Sequence, residues 1–142
     1  GSQHGRRKPM LLKIAPDLSE AELDSIAEVL LRTGIDGVIC SNTTIDHASV
    51  ADDPQGGETG GLSGKPLFER STAVLAGMHQ RLQGRIPLIG VGGILDGSDA
   101  AEKLDAGASL VQVYTGLIYR GPLLVGECVN EIRRQREAAD AT

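Results

Sequence analysis

Aromatic residues are scarce in this chain: 142 residues include one phenylalanine, two tyrosines and no tryptophan. That excludes modules that hold single-stranded nucleic acid by stacking bases on aromatic platforms. A basic surplus is missing too. The net charge is −5 and the pI is near 5.1, so the chain lacks the electrostatic footprint of a nucleic-acid binder. No apolar run approaches the roughly 18 residues of a membrane helix. Cysteine is limited to Cys40 and Cys128, which have no metal-ligand spacing and make no disulfide framework. A reducing compartment is the expectation. There is no start methionine and no signal peptide.

What is present is an ordinary globular composition. Hydrophobic residues make up 40% and charged residues 23%, enough apolar surface for a modest core and against disorder. The length suits one domain, or one piece of a larger one. Gly1 and Ser2 read as an expression scar, and residues 3–8 as a polar, basic tail or the frayed end of an upstream helix. The folded part is expected over 9–142, and the abrupt start fits either ordinary tag processing or a chain that begins in the middle of a protein.

Residues 10–15 (MLLKIA) fit a short buried strand ended by Pro16. Asp17 and Ser19 are candidate N-caps, with Glu20 and Glu22 favouring a helix start. Leu23, Ile26, Ala27, Leu30 and Leu31 recur at helical spacing, and Gly34 suits the helix end. Residues 37–40 (GVIC) read as the second strand. A long glycine-rich segment over 46–67 precedes a helix over 68–82. Residues 86–90 (IPLIG) read as the third strand, and 98–104 as a helix capped by Ser98 and closed by Gly107. Residues 109–113 read as the fourth strand. A last helix is expected over about 122–136, with Arg133, Arg134 and Arg136 at its C-terminal dipole end.

This order, βα four times over, predicts an α/β fold with a parallel sheet covered by helices. A barrel of eight such units needs roughly 250 residues, so four units suit half of one. An open four-stranded sheet fits the pattern equally well.

Function in either fold collects at the carboxyl ends of the strands. Lys13 interrupts the first apolar run. A buried lysine needs a partner or a ligand; an ion pair with Asp17 or a snorkelling stem is the plainer alternative. The second strand runs into Ser41, Asn42, Thr43 and Thr44, which offer donors and acceptors to a polar ligand or cap a turn. Residues 60–67 (GGLSGKPL) carry glycines that let backbone N–H groups approach a ligand, or form a flexible linker. Residues 90–94 (GVGGI), followed one βα unit later by Tyr114, Thr115 and Gly116, suit a phosphate site built from backbone N–H groups. No Walker or dinucleotide-binding glycine pattern is present. His4, His47 and His79 have no partner at metal or catalytic spacing, no Ser-His-Asp set is evident, and Asp52 and Asp53 read as solvating the loop.

Five ordered segments carry a resemblance: LLKIAPDL, DGVICSNTT, TGGLSGKPL, IPLIGVGGI and GASLVQVYTGLIYRGP. Together they resemble the carboxy-terminal half of class 2, quinone-dependent dihydroorotate dehydrogenase, from about residue 8 to about 132. The phosphate-site glycines are common to class 1 enzymes and other FMN barrels; SNTT and GGLSGKPL look more like class 2. The resemblance implies half of an FMN-binding (β/α)8 TIM barrel, from an oxidoreductase that converts dihydroorotate to orotate in pyrimidine synthesis and passes electrons through FMN to quinone. It implies that Lys13 contacts the flavin ring and stabilises negative charge on reduced flavin. Ser41 matches a flavin-contacting hydroxyl that is often Thr in the family. Asn42 and Thr43 match substrate-binding residues. Gly64 and Gly93 match FMN-binding glycines, and Tyr114 and Thr115 match the FMN-phosphate segment, where Ser often replaces Thr.

The resemblance also implies what lies elsewhere. The family's catalytic serine base, further FMN and substrate contacts and the helices of the quinone tunnel belong to the other half. No serine here matches the base, so no catalytic residue is assigned and no metal is expected. The whole enzyme would be peripheral on the cytoplasmic face of a bacterial inner membrane, or on the mitochondrial inner membrane if eukaryotic, and the fragment soluble. The expectations are therefore an inactive fragment that self-associates, with residues 46–61 poorly ordered or displaced. A non-enzymatic phosphate-ligand module, or half of another FMN barrel oxidoreductase, stands as the alternative.

Overall fold

The computed structural model describes residues 7–140, so the expected scar and residues 3–6 of the tail lie outside the described residues. Four strands form one sheet: β1 (Leu11–Ile14), β2 (Gly37–Cys40), β3 (Leu88–Val91) and β4 (Leu110–Gln112). Their spatial order is their chain order, and every neighbouring pair is parallel. The helices are α1 (Glu20–Thr33), α2 (Phe68–Leu82), α3 (Gly97–Asp105), α4 (Thr115–Arg120) and α5 (Leu123–Asp140). The predicted α/β arrangement is present, with β1 and β4 as unpaired edges.

Local chemistry decides the helix ends. Ser19, not Asp17, caps α1: Glu22 N donates to Ser19 Oγ, and Ser19 N donates to Glu22 Oε2 at 2.8 Å. This reciprocal capping box satisfies two otherwise orphaned backbone donors. We expect Ser19→Ala to lower stability by about 1 kcal/mol in urea denaturation; an unchanged midpoint would show that the cap contributes nothing. Asp17 is engaged elsewhere, accepting from Arg70, from the Thr44 hydroxyl and from Ile45 N.

Likewise Asp96, not Ser98, caps α3, its carboxylate accepting from Asp99 N at 2.9 Å. That partner lowers the Asp96 pKa. The predicted last helix is α5, and a short helix with no counterpart in the sequence reading, α4, precedes it. Gly121, at φ 70°, ends α4, and α5 runs on to Asp140. Arg133, Arg134 and Arg136 therefore lie short of the last turn, and Arg134 pairs with Glu131 instead.

The helices cover one face of the sheet. Leu23, Ala27 and Leu30 of α1 and Val74, Leu75, Met78 and Leu82 of α2 pack on Ile14, Val38, Cys40 and Leu88. A second cluster joins Ile94, Ala100, Leu124 and Cys128 beneath α3 and α5. Both cysteines are free and buried, and burial pushes the Cys40 thiol up to about 12. Strand side chains alternate between faces. The register therefore sets Lys13, Ile39, Ile89 and Leu110 in one row on the face away from the helices. That face is open. Leu11 and Lys13 on that face are exposed rather than buried as the apolar run suggested, and Leu110 is 63% exposed; Leu12, on the helix side, is exposed too because β1 is an edge strand. The run is apolar enough for two covered faces, and only one is covered here.

The long segment after β2 is anchored at its base by an antiparallel bridge between Thr44 and Leu62. The His47 ring nitrogens lie 2.8 Å from Gly56 O and 3.0 Å from Gly60 O. Residues 51–61 are otherwise mostly exposed, so the segment is tethered by polar contacts and not by a core of its own.

Candidate functional site

The carboxyl ends of the strands and the end of the long loop converge on a cavity of about 260 Å³. All eight residues singled out from the sequence line it: Lys13, Ser41, Asn42, Thr43, Gly64, Gly93, Tyr114 and Thr115. They come from positions 13 to 115, so only the parallel topology makes them neighbours.

Each loop is positioned by identifiable contacts. Ser41 is buried; its amide donates to Val91 O and its hydroxyl to Asn42 O. Asn42 N donates to Ile14 O at 2.8 Å, which ties this loop to the end of β1. Asn42 and Thr43 keep exposed side chains. A Cβ on Gly61 would sit 1.9 Å from Thr43 Oγ1, so glycine is required where the long loop crosses them. Ser63 Oγ and Thr115 Oγ1 share a hydrogen bond of 2.9 Å, joining the long loop to the start of α4. Gly64 has φ 78°, and its missing Cβ would face Thr115 Cγ2 at 3.2 Å.

Gly93 is constrained both by its backbone and by its neighbours. Its φ is 77°, and a Cβ would lie 2.4 Å from Phe68 Cβ. The loop after β3 therefore rests on the first residue of α2. Gly116 is equally tight, since a Cβ there would lie 2.1 Å from Ile94 O. Gly93 and Ile94 are buried, yet their backbone N–H groups donate no hydrogen bond to any of the described residues. Buried orphan donors are rare in folded chains. Two adjacent ones on a cavity wall are what an anionic group accepts from.

The charges divide into two sets. Lys13 is exposed on the cavity wall and has no ion pair among the described residues; Asp17, the partner considered above, is held by Arg70. Lys65 pairs with buried Asp99 at 2.9 Å, and that hydrogen bond raises the lysine pKa. Asp99 also accepts from Leu95 N at 2.8 Å, so one carboxylate links the long loop to the loop after β3. Tyr114 is 79% exposed, so its residue lines the cavity while most of its side chain meets solvent.

Sequence reasoning passed over Gln112, which shares the wall with Lys13. Its signal was the same one that marked Lys13, a polar side chain within an apolar strand. Ser63 was quoted within its motif but given no part, and Lys103 beneath the site was read only as one residue of a helix.

The dihydroorotate dehydrogenase family model matches residues 2–135. A quinone-type dihydroorotate dehydrogenase of Stenotrophomonas maltophilia is 59% identical over 137 residues, which is 96% of this chain and 39% of that protein. One from Xanthomonas oryzae pv. oryzae is 58% identical over 97% of this chain and 39% of its own length. Among solved structures, the Eimeria tenella enzyme in complex with ferulenol superposes with a TM-score of 0.89 at 42% identity, covering 98% of this chain and 37% of that one. Its ligand-free form gives 0.88, also at 42% identity, over 95% and 37%. These neighbours are TIM-barrel enzymes, which favours the barrel over the open-sheet alternative. The chain thus spans about two fifths of the length of the relatives it matches. With a family model covering nearly all of it, the chain belongs to the dihydroorotate dehydrogenase family.

Proposed function

We propose that this chain supplies the cofactor-phosphate half of a quinone-dependent dihydroorotate dehydrogenase, and that the flavin it holds is FMN. The family is flavin-dependent. The observation that carries the assignment is the pair of buried, unpartnered amides at Gly93 and Ile94, set against Gly116 and Thr115 on the same wall. In this reading Gly93, Tyr114 and Thr115 receive the phosphate end, and Gly64 allows the long loop to approach. Lys13 and Ser41 lie along the flavin ring, and Asn42 and Thr43 orient the substrate. Bound there, FMN would take up the two electrons released when dihydroorotate becomes orotate. The chain's own contribution is to bind, orient and place a positive charge: Lys13, unpaired and on the wall, is suited to stabilise negative charge on the ring.

The remainder of the barrel would complete the substrate pocket and supply the quinone site and the proton-abstracting base. Among the described residues no helix is long and apolar enough to cross a membrane. The whole enzyme would be peripheral on the cytoplasmic face of a bacterial inner membrane, or on the mitochondrial inner membrane in a eukaryote.

Two substitutions test these roles, with the amino-terminal part of the Stenotrophomonas enzyme supplied in trans. Lys13→Ala is expected to weaken FMN binding or slow flavin reduction by roughly 10- to 100-fold, the value of about 1.5–3 kcal/mol for a charged hydrogen bond. Asn42→Ala is expected to leave FMN binding intact and impair orotate binding to a similar extent. Wild-type behaviour of both variants in flavin titration and stopped-flow reduction would remove these residues from the site.

A further inference from the structure

Lys103 of α3 is completely buried, at 0% exposure. Its Nζ donates to Ser71 Oγ and Thr72 Oγ1, both at 2.7 Å, and to the Phe68 carbonyl at 3.3 Å. Those three acceptors match the three protons of an ammonium group. The Phe68 ring adds a fourth contact, its centroid 4.6 Å from Nζ. Burying an ammonium group is costly unless it is satisfied in this way.

The consequence reaches the cavity through Ser71. A serine hydroxyl has one proton. Because Ser71 Oγ accepts from Lys103, its own proton is directed to carbonyls, with Phe68 O at 3.0 Å and Gly92 O at 3.2 Å. Gly92 sits directly on this hydroxyl: a Cβ there would lie 2.7 Å from Ser71 Oγ. The next two residues are Gly93 and Ile94, whose amides have no partner in the described chain.

We propose that Lys103 is a positioning residue for the ligand cavity: through Ser71 it holds the Gly92 carbonyl, and so orients the Gly93 and Ile94 amides that receive a phosphate. The inference rests on the phosphate reading above. Lys103 does not line the cavity. A neutral amine would have only two protons and would gain a lone pair. Ser71 would then be free to donate to Nζ, and the Gly92 carbonyl would lose its donor.

Burial pushes the Lys103 pKa down to about 8, opposed by Glu102 and Asp99 on its own helix; Cys40 on β2 also faces it, as a thiol whose own pKa burial pushes up to about 12. From α2 it meets two hydroxyls, a carbonyl and the Phe68 ring. Lys65, 4.7 Å from the same ring centroid, is paired with Asp99. The grip on Gly92 is therefore present below about pH 8 and lost progressively as pH rises through it.

The test uses this chain with Lys103→Met and Ser71→Ala, each titrated with FMN and with riboflavin, which lacks the phosphate. The ratio of FMN to riboflavin affinity is expected to fall about tenfold in both variants, with riboflavin affinity unchanged. The wild-type ratio is expected to decline above pH 8, and the Lys103→Met ratio to stay flat. In the ligand-free chain at pH 7, amide exchange at Gly93 and Ile94 is expected to accelerate in both variants. A purely structural lysine would change thermal stability without changing the ratio, and that result overturns the proposal. If Lys103→Met does not fold, Ser71→Ala decides alone, and a wild-type ratio in that variant overturns it. A wild-type chain with no preference for FMN over riboflavin overturns the phosphate reading and this proposal's ligand role. Unchanged exchange at both amides overturns the positioning itself.

Discussion

Given dihydroorotate, FMN and a dye acceptor, the isolated chain is expected to turn over at least about a hundredfold more slowly than the full-length Stenotrophomonas relative. General-base catalysis alone is typically worth about 10²- to 10⁴-fold. The cavity wall holds neither histidine nor carboxylate. Of its hydroxyls, Ser41 donates to Asn42 O and Ser63 shares a hydrogen bond with Thr115, and none has a histidine or carboxylate on the wall to activate it. Lys13 is the one ionisable cation on the wall, and as an ammonium group it has no lone pair with which to take a proton. Substrate positioning is also incomplete, because Asn42 and Thr43 approach from one side of an open sheet face. Steady-state dye reduction is the measurement. A rate comparable to that of the full-length enzyme would show that the chain carries a complete catalytic apparatus.

The second large effect concerns association. β1 and β4 each leave one edge of the sheet without a neighbour, and edges of this kind recruit other strands. The row of Lys13, Ile39, Ile89 and Leu110 faces away from the helices, and Leu110 is 63% exposed. Ile118 and Tyr119 of α4 and Leu123 of α5 add further exposed apolar surface. A second copy would present β1 to β4 and β4 to β1, so two copies would close both edges and cover both open faces around a two-fold axis. Light scattering across a concentration series is expected to give a dimer. Leu110→Glu, placed on the open face, is expected to shift it to monomer without loss of helical signal. A folded wild-type monomer at every concentration would contradict self-association; a dimer with both edge strands still open to exchange would contradict only the closed arrangement.

Much of this architecture is legible in the residues. α1 follows from the spacing of Leu23, Ile26, Ala27, Leu30 and Leu31, and Gly34 closes it in the left-handed conformation. Cap assignments were harder, because Asp17 and Ser98 have the right chemistry but the wrong neighbours. Asp17 is drawn away by Arg70 and Thr44, and Asp96 reaches Asp99 N before Ser98 has any backbone donor to satisfy. α4 was hidden because six residues give too little periodicity and Tyr114 supplies no capping side chain. The burial of β1 was misjudged for a different reason: an apolar run reports what a strand is built to meet, not whether the partner surface is present.

The eight site residues were recoverable because each stands at a strand's carboxyl end, where parallel topology gathers them. Gln112 carried the signal that marked Lys13 but was passed over, and Lys103 carried none. A glutamine inside a strand and a lysine inside a helix read as solvent-facing until the register and the Ser71 contact place them. Asp99 was missed similarly, since its link from Lys65 to Leu95 N joins residues 30 positions apart through a third element.

The central claim is that the wall built from Gly64, Gly93, Ile94, Thr115 and Gly116 receives the phosphate of a flavin whose ring lies toward Lys13. Flavin fluorescence titration of the chain with FMN, with riboflavin and with FMN against inorganic phosphate tests this most directly. The account predicts that FMN binds more tightly than riboflavin, and that phosphate competes only at concentrations far above that of FMN, because ring and phosphate are held together. Equal binding of FMN and riboflavin, or full displacement of FMN by equimolar phosphate, would contradict it.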